Sequence, residues 1–166
     1  MSDELVRIAL TEAISNLRSQ KEDLRNVRSQ SAFSATVASI VASVFSAMIA
    51  GSDLTPLFSG HTIFGVNVTL WLAIVLFGMS LYFAMVVLTA VKKVSFESNP
   101  NAILHWSTWD DDKSTGLFGM IEQLVVDFQK NEKVIDRVRA DLQLSLVFGA
   151  IQIVPWIMAI SLVVVK

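Results

Sequence analysis

Three long stretches of the chain are dominated by apolar residues and carry no Asp, Glu, Lys or Arg: 29–52, 54–91 and 142–165. A helix of about 20 apolar residues crosses a hydrocarbon core of about 30 Å, and each stretch supplies that length. The second stretch is longer than one span needs, and Pro56, Gly60 and Gly65 in its first part indicate a turn. The pattern predicts transmembrane helices at 31–51, 66–91 and 142–165, with a loop at 52–65.

Apolar spacing also continues outside the first span, along the N-terminal segment 1–30. Alternating steps of four and three residues put one set of side chains on a common helix face, although two of them are basic. The set is Leu10, Ile14, Leu17, Lys21, Leu24, Arg28 and Ser31, and the spacing goes on through Ala35, Ala38, Ala42, Phe45 and Ile49. Because neither Gly nor Pro separates this segment from the span, we predict one helix from about Asp3 to Ala50.

The connection 92–141 repeats this arrangement before the third span. Its first part carries Asn-Pro-Asn and Ser-Thr-Gly runs, which are turn and cap signals. Its second part has a 3-4 seam that runs directly into the span: Ile121, Leu124, Phe128, Asn131, Ile135, Val138 and Leu142. The predicted fold class is an all-α integral membrane protein with three transmembrane helices, the first and third extended into coiled-coil-like helices. Pairing of these extensions within one chain and pairing between chains both remain open.

The composition agrees with a membrane location, and the charges indicate how the chain is oriented in the membrane. The 166 residues suffice for one domain and are only 17% charged, against roughly a quarter in soluble domains. Lysine and arginine mark the cytoplasmic side, and five precede the first span, seven lie in 92–141, none lies in 52–65 and one ends the chain. We expect the N-terminus and 92–141 in the cytoplasm and the C-terminus outside. The alternative is three buried helices of a soluble bundle.

The first span, FSATVASIVASVFSAMIAG, is rich in small and hydroxyl residues, which admits two interpretations. In the first, small residues at every fourth position let helices approach closely in lipid; these are Ala35, Ser39, Ser43, Ala47 and Gly51. In the second, a hydroxyl face lines a water-filled path, because hydroxyls replace part of an ion's hydration; its residues are Thr36, Ser39, Ser43 and Ser46. Both interpretations hold if Ser39 and Ser43 line a tightly packed, closed pore.

Gln152 and Pro155 stand near the middle of the third span. Pro155 has no N–H and so removes the hydrogen bond to the Ile151 carbonyl, which favours a kink. Gln152 lies three residues earlier, where its amide is placed to bond a freed backbone group or a neighbouring helix. We predict a gating hinge here, with plain packing as the alternative.

Two further groups of residues lie outside the spans. One is basic (Arg18, Lys21, Arg25 and Arg28) and would bind the phosphate of a nucleotide or oligonucleotide if several copies converge. Membrane-surface anchoring is the alternative for these residues. The other group, Trp106 and Trp109, is expected at the membrane interface, as aromatic belts are.

Several function classes have no residues to support them. The chain has no Cys, which excludes thiol chemistry and cysteine zinc sites. We find no phosphate-binding glycine loop, no His-Glu zinc helix and no nucleophile elbow. No Asp, Glu, Lys, Arg or His lies within a span core, where ion-coupled transporters keep such residues. We expect no enzyme, no secondary transporter, and no metal or other cofactor.

The layout resembles the small membrane effectors of bacterial anti-phage signalling systems, of the Pycsar, SLATT-containing and Hailong types. The arm Glu4–Arg28 with its span, and Gln123–Asp141 with FGAIQIVPW, carry the resemblance. It is architectural and covers most of the chain. It implies a protein that oligomerises in the bacterial inner membrane, stays closed, and permeabilises that membrane when a nucleotide-type signal changes.

We therefore predict a homo-oligomeric channel or pore-forming effector, closed at rest and gated through its cytoplasmic helices. Three spans in one chain cannot enclose a sizeable pore, so assembly is required, and we take a tetramer as the working state. Its partners would be the lipid bilayer, its own copies and a nucleotide or oligonucleotide regulator. The alternative is a membrane scaffold or anchor subunit whose cytoplasmic helices bind a partner protein.

Overall fold

The computed structural model describes residues 3–51, 54–58, 62–90, 94, 96 and 113–164, and about 92% of them are helical. The helices are α1 (Asp3–Ala50), α2 (Val68–Thr89), α3 (Lys113–Ile151) and α4 (Ile153–Val164). Between α1 and α2 lie a 3-10 turn (Thr55–Phe58) and two short strands, β1 (Thr62–Ile63) and β2 (Val66–Asn67). The single long first helix predicted from the absence of Gly and Pro is confirmed.

Three helical segments are long and apolar enough to cross a membrane, which is consistent with an integral membrane protein: Glu4–Ala50, Val68–Thr89 and Gly116–Val163. Only 17%, 22% and 28% of the most apolar window in each is buried inside the chain. Most of that apolar surface therefore faces outwards. Exposed apolar surface of this extent is what a lipid bilayer or further copies of the chain would cover.

The segment before α2 forms a β-hairpin that the sequence did not predict. β1 and β2 pair antiparallel across a two-residue turn. The turn residues Phe64 and Gly65 both have positive φ, 51° and 79°, as the favoured two-residue hairpin turn requires. Glycine adopts such a φ at little cost, whereas Phe64 does not. Residues 62–67, at the end of the loop predicted at 52–65, therefore form a defined hairpin.

Asn67 sets the start of α2. Its Oδ1 accepts a hydrogen bond from the Thr69 N–H at 2.9 Å, which is the geometry of a helix N-cap. The span predicted to begin at Val66 therefore begins two residues later, at Val68. The sequence contained this signal, because Asn is among the preferred N-cap residues.

The chain divides into two compact units. The first comprises Met1–Asn26 and Ala90–Val138, and the second comprises Val27–Thr89 and Arg139–Lys166. In the first unit, the early part of α1 packs against α3. Gln20 donates from its Nε2 to the Phe128 carbonyl at 3.1 Å, so these two helices pair within one chain.

The seam predicted on α3 is buried or half-buried at every position, but the seam predicted on α1 is wrong at two. Ile14 is 45% exposed and Lys21 is exposed, while Gln20 and Val27 are buried. Burying an ammonium group costs free energy unless it is paired, whereas Gln20 gains the carbonyl of its neighbour. The face of α1 that packs therefore keeps most of the predicted seam and is shifted towards Gln20 and Val27; Arg28, also predicted in the seam, is half-buried.

The second unit has a compact apolar core beside the C-terminal end of α1. Its buried members are Ala42, Ile49, Leu57, Ala73, Trp156, Ala159 and Val163. The Trp156 ring stacks on Phe45 with 6.0 Å between centroids. Ala73 and Ala159 are 0% exposed, and such small side chains let helices approach closely in a membrane.

Candidate functional site

The four hydroxyl residues predicted to line a path lie on a face of α1 that the chain leaves largely uncovered. Thr36, Ser43 and Ser46 are exposed and Ser39 is half-buried. Part of this face forms an open groove of about 450 Å³. Its lining consists of Ala35, Thr36, Ser39, Ile40, Ser43 and Val44. We call Thr36, Ser39, Ser43 and Ser46 the hydroxyl stripe.

Three hydroxyls of the stripe donate back to their own helix. Thr36 Oγ1 donates to the Ala32 carbonyl at 2.9 Å, Ser39 Oγ to the Ala35 carbonyl at 2.8 Å, and Ser43 Oγ to the Ser39 carbonyl at 2.8 Å. A hydroxyl has one donor and two acceptor lone pairs. Each donor is thus satisfied without water, while the acceptor positions of each oxygen remain open to whatever lies along this face.

The small residues at every fourth position do not pack the spans of one chain together. Ala35 and Ser39 are half-buried, but Ser43, Ala47 and Gly51 are exposed. The face of α1 that does pack lies one residue earlier and carries Ser31, Ser34, Ala38 and Ala42, all buried. Close packing by the every-fourth-residue pattern therefore stays a prediction for contacts between chains.

A buried cluster of serines joins the three spans in the second unit, and the sequence interpretation missed it. Ser80 Oγ donates to the Ser145 carbonyl and Ser145 Oγ to the Ser80 carbonyl, both at 2.9 Å. Ser34 Oγ lies 3.5 Å from Ser145 Oγ, and Ser31 Oγ donates to the Ala84 carbonyl at 3.1 Å. The burial of Ser31 and Ser34 could have been predicted from the sequence, because both continue the 3-4 spacing of the buried face.

The third span is interrupted where the sequence predicted a hinge. Gln152 stands between α3 and α4 in a turn, although its N–H still donates to the Phe148 carbonyl at 3.1 Å. The Trp156 N–H donates to the Gln152 carbonyl at 3.3 Å. Since Pro155 has no N–H, the Ile151 carbonyl has lost its usual donor. The break in the helix is thus local to one residue.

The side chain of Gln152 does not make the hydrogen bond expected of it. Gln152 is 0% exposed, and Pro155 is also buried. Among the described residues, neither the Nε2 nor the Oε1 of Gln152 has a hydrogen-bond partner. The predicted bond to a freed backbone group or a neighbouring helix is therefore not formed among the described residues.

The predicted phosphate-binding residues are accessible for the most part. Arg18, Lys21 and Arg25 are exposed and Arg28 is half-buried. The predicted interface residues Trp106 and Trp109 lie outside the described residues. Over the described part of the chain, no group of three or more His, Cys, Asp or Glu side chains is placed to hold a metal ion.

Comparison with known proteins found no relative from which a function for this chain could be inferred. The chain matches no protein-family model, no curated protein and no solved structure. The features that bear on function are therefore the apolar spans of three helices, the uncovered hydroxyl stripe on the first and the polar break in the third.

Proposed function

We propose that the protein is a homo-oligomeric channel or pore-forming effector whose hydroxyl stripe lines the path. In this proposal it is an inner-membrane protein of bacteria, with the N-terminus cytoplasmic and the C-terminus external, and it acts in anti-phage defence. The observation that carries the proposal is the exposure of Thr36, Ser43 and Ser46 within the uncharged span of α1.

A lipid-facing surface gains nothing from a row of hydroxyl oxygens. The same helix also has exposed apolar side chains outside the groove, such as Phe33 (71%) and Val37 (42%), which suit lipid tails. A path for water or ions gains from the stripe, since oxygen lone pairs replace part of a hydration shell. Several copies of α1 around a common axis would bring the stripes together and keep the apolar faces outside.

Assembly is supported by apolar residues on the first unit, in the part that we place in the cytoplasm. Leu5 and Ile8 are each 56% exposed on α1, and Phe118 and Val125 are 54% and 43% exposed on α3. Water does not favour such side chains, so contacts with further copies would cover them. A tetramer remains our working state.

Gating would act through the cytoplasmic helices and the third span. The exposed side chains of Arg18, Lys21 and Arg25 offer positive charge to a nucleotide or oligonucleotide phosphate. The break at Gln152 and Pro155 supplies a point at which the span can bend. At rest the stripes would pack closely and exclude ions. In this state the first span would be both a close-packing surface and the lining of a closed path.

Ion flux from liposomes that contain the purified protein tests the proposal. Ser43→Leu replaces a hydroxyl of the stripe with a bulky apolar side chain, and Val37→Leu places the same leucine side chain on another face of the helix without removing a hydroxyl. Because the proposed channel is closed at rest, nucleotides are added to the liposomes to open it. We then expect flux from the wild type and from Val37→Leu, and none from Ser43→Leu, with the assembled mass unchanged in all three.

The second candidate is a membrane scaffold whose cytoplasmic helices bind a partner protein. The same exposed apolar side chains on the first unit favour it. It predicts a sealed bundle in which wild type and both variants give no flux under any condition, including addition of nucleotides. The flux assay therefore separates the two candidates directly.

A further inference from the structure

Two buried polar side chains near the centre of the third span lack partners within the described part of the chain. Gln152 is 0% exposed, and neither polar atom of its amide is hydrogen-bonded. Trp156 is 4% exposed one helical turn later, and its indole N–H has no acceptor among the described residues. Buried groups of this kind are normally satisfied by protein or by ordered water, so each of them needs an explanation.

A third polar group lies beside them. Pro155 removes the donor that the Ile151 carbonyl would meet in a regular helix. Together the segment offers donors, at Gln152 Nε2 and Trp156 Nε1, and acceptors, at Gln152 Oε1 and the Ile151 carbonyl. Three departures from normal hydrogen bonding within residues 151–156 indicate a site rather than a chance defect.

The burial of these groups restricts what can occupy the site. A lipid tail or a side chain of a second copy cannot reach an amide that is 0% exposed. An anion would be repelled by the side-chain oxygen of Gln152 (Oε1), and a cation would be repelled by the indole N–H of Trp156. Only a small neutral molecule that both donates and accepts hydrogen bonds matches this mixture.

We propose that the break between α3 and α4 is a binding site for internal water, held by the Gln152 amide, the Trp156 indole N–H and the Ile151 carbonyl. A buried water makes about three hydrogen bonds, and these groups supply that number. Water that inserts into the backbone ladder is a recognised cause of helix kinks. The inference does not depend on the channel proposal, because a scaffold with the same third span would hold the same water.

Nuclear magnetic resonance of the full chain in lipid nanodiscs tests this site. The indole N–H signal of Trp156 in ¹⁵N-labelled, deuterated protein is assigned by its loss in Trp156→Phe. Dipolar transfer of magnetisation from water to that N–H is then measured. Trp71, whose indole donates to the Ile63 carbonyl at 2.8 Å, is the internal reference for an indole bonded to protein.

We expect a water cross-peak at the Trp156 indole in the wild type and its loss in Gln152→Met, which keeps the side-chain length but removes the amide. Pro155→Ala restores a donor to the Ile151 carbonyl and is expected to weaken the same cross-peak. A wild-type Trp156 signal without a water cross-peak overturns the proposal and needs no variant to be interpreted. A cross-peak that is unchanged in folded Gln152→Met also overturns it, because the amide would then not hold the water.

Discussion

Ser80 and Ser145 donate their hydroxyls to each other's backbone, with each Oγ 2.9 Å from the other residue's carbonyl oxygen. Both side chains are 0% exposed. The pair therefore joins α2 to α3 inside the second unit with both hydroxyl protons matched. In lipid, where helices gain little from apolar contact alone, hydroxyl bonds of this kind between closely packed helices contribute to association.

The reciprocal pair should contribute measurably to stability. Ser80→Ala and Ser145→Ala are each expected to lower the free energy of unfolding by about 0.5–1.5 kcal/mol. Each substitution removes one hydroxyl donor and leaves both atoms of the other hydrogen bond in place, so the double variant should lose more than either single variant. Unfolding in detergent micelles gives these values, with Ser161→Ala as the control. Ser161 is exposed and donates only within its own helix, to the Met158 carbonyl, so an equal loss in Ser161→Ala would contradict the account.

Gly149 should be intolerant of even one added methyl group. A Cβ at this position would lie 3.2 Å from Ser80 Oγ, and the hydrogen bond to the Ser145 carbonyl keeps that oxygen in place. Gly149→Ala is therefore expected to destabilise the protein by about 1–3 kcal/mol through overpacking.

Gly78 is the matched control for that substitution. A Cβ on Gly78 meets nothing within 4 Å, so Gly78→Ala should be neutral or stabilise α2 by up to about 1 kcal/mol through helix propensity. Both variants are compared by thermal unfolding in the same detergent. Equal transition temperatures for the two would show that α2 and α3 do not approach closely at Gly149.

The packing face of α1 in the first unit can be tested with two residues that the sequence placed in the same seam. Leu17 is 4% exposed and Ile14 is 45% exposed. Leu17→Ala should cost about 2–5 kcal/mol as a buried truncation, whereas Ile14→Ala should cost less than about 1 kcal/mol. Denaturant unfolding followed by circular dichroism measures both. Large and similar losses for both variants would contradict this account and restore the seam predicted from the sequence.

Assembly should depend on the exposed apolar side chains of the first unit. Ile8→Glu places a charge on a side chain that is 56% exposed in the single chain, and it should shift the assembled mass towards the monomer if copies cover that side chain. Gln129→Glu adds the same charge at an exposed polar position and should leave the mass unchanged. Mass photometry or analytical ultracentrifugation in detergent reads both results.

The helices were predictable because length and apolar content decide them. No Gly or Pro interrupts 3–50, and the uncharged stretches are long enough to span a bilayer. The hairpin before α2 was not predicted, because its turn places Phe64 at a positive φ that the residue type disfavours. The start of α2 was missed by two residues although Asn67, its cap, was visible in the sequence.

The site was predictable only in part, because the spacing of residues along a helix does not decide which of two adjacent faces is buried. Gln20 and Lys21 are adjacent, and both fit a 3-4 spacing within the tolerance of a real helix, so only the partner helix decides which is buried. Ser39 and Ser34 likewise look equivalent in sequence. Ser34 is buried beside Ser145, whereas Ser39 is only half-buried. That choice depends on contacts with residues more than a hundred positions away, which spacing along one helix does not contain.

The central claim is that the hydroxyl stripe borders a water-filled path, and the absence of Cys from the chain permits a direct test. Single substitutions Thr36→Cys, Ser39→Cys, Ser43→Cys and Ser46→Cys are introduced, with Val37→Cys as the control on another face. Each protein is reconstituted in bilayers and treated with a charged, water-soluble thiol reagent while current is recorded. We predict that the reagent blocks current through the stripe variants and leaves Val37→Cys unaffected. Current that persists in every stripe variant after treatment would contradict the claim and place the path elsewhere.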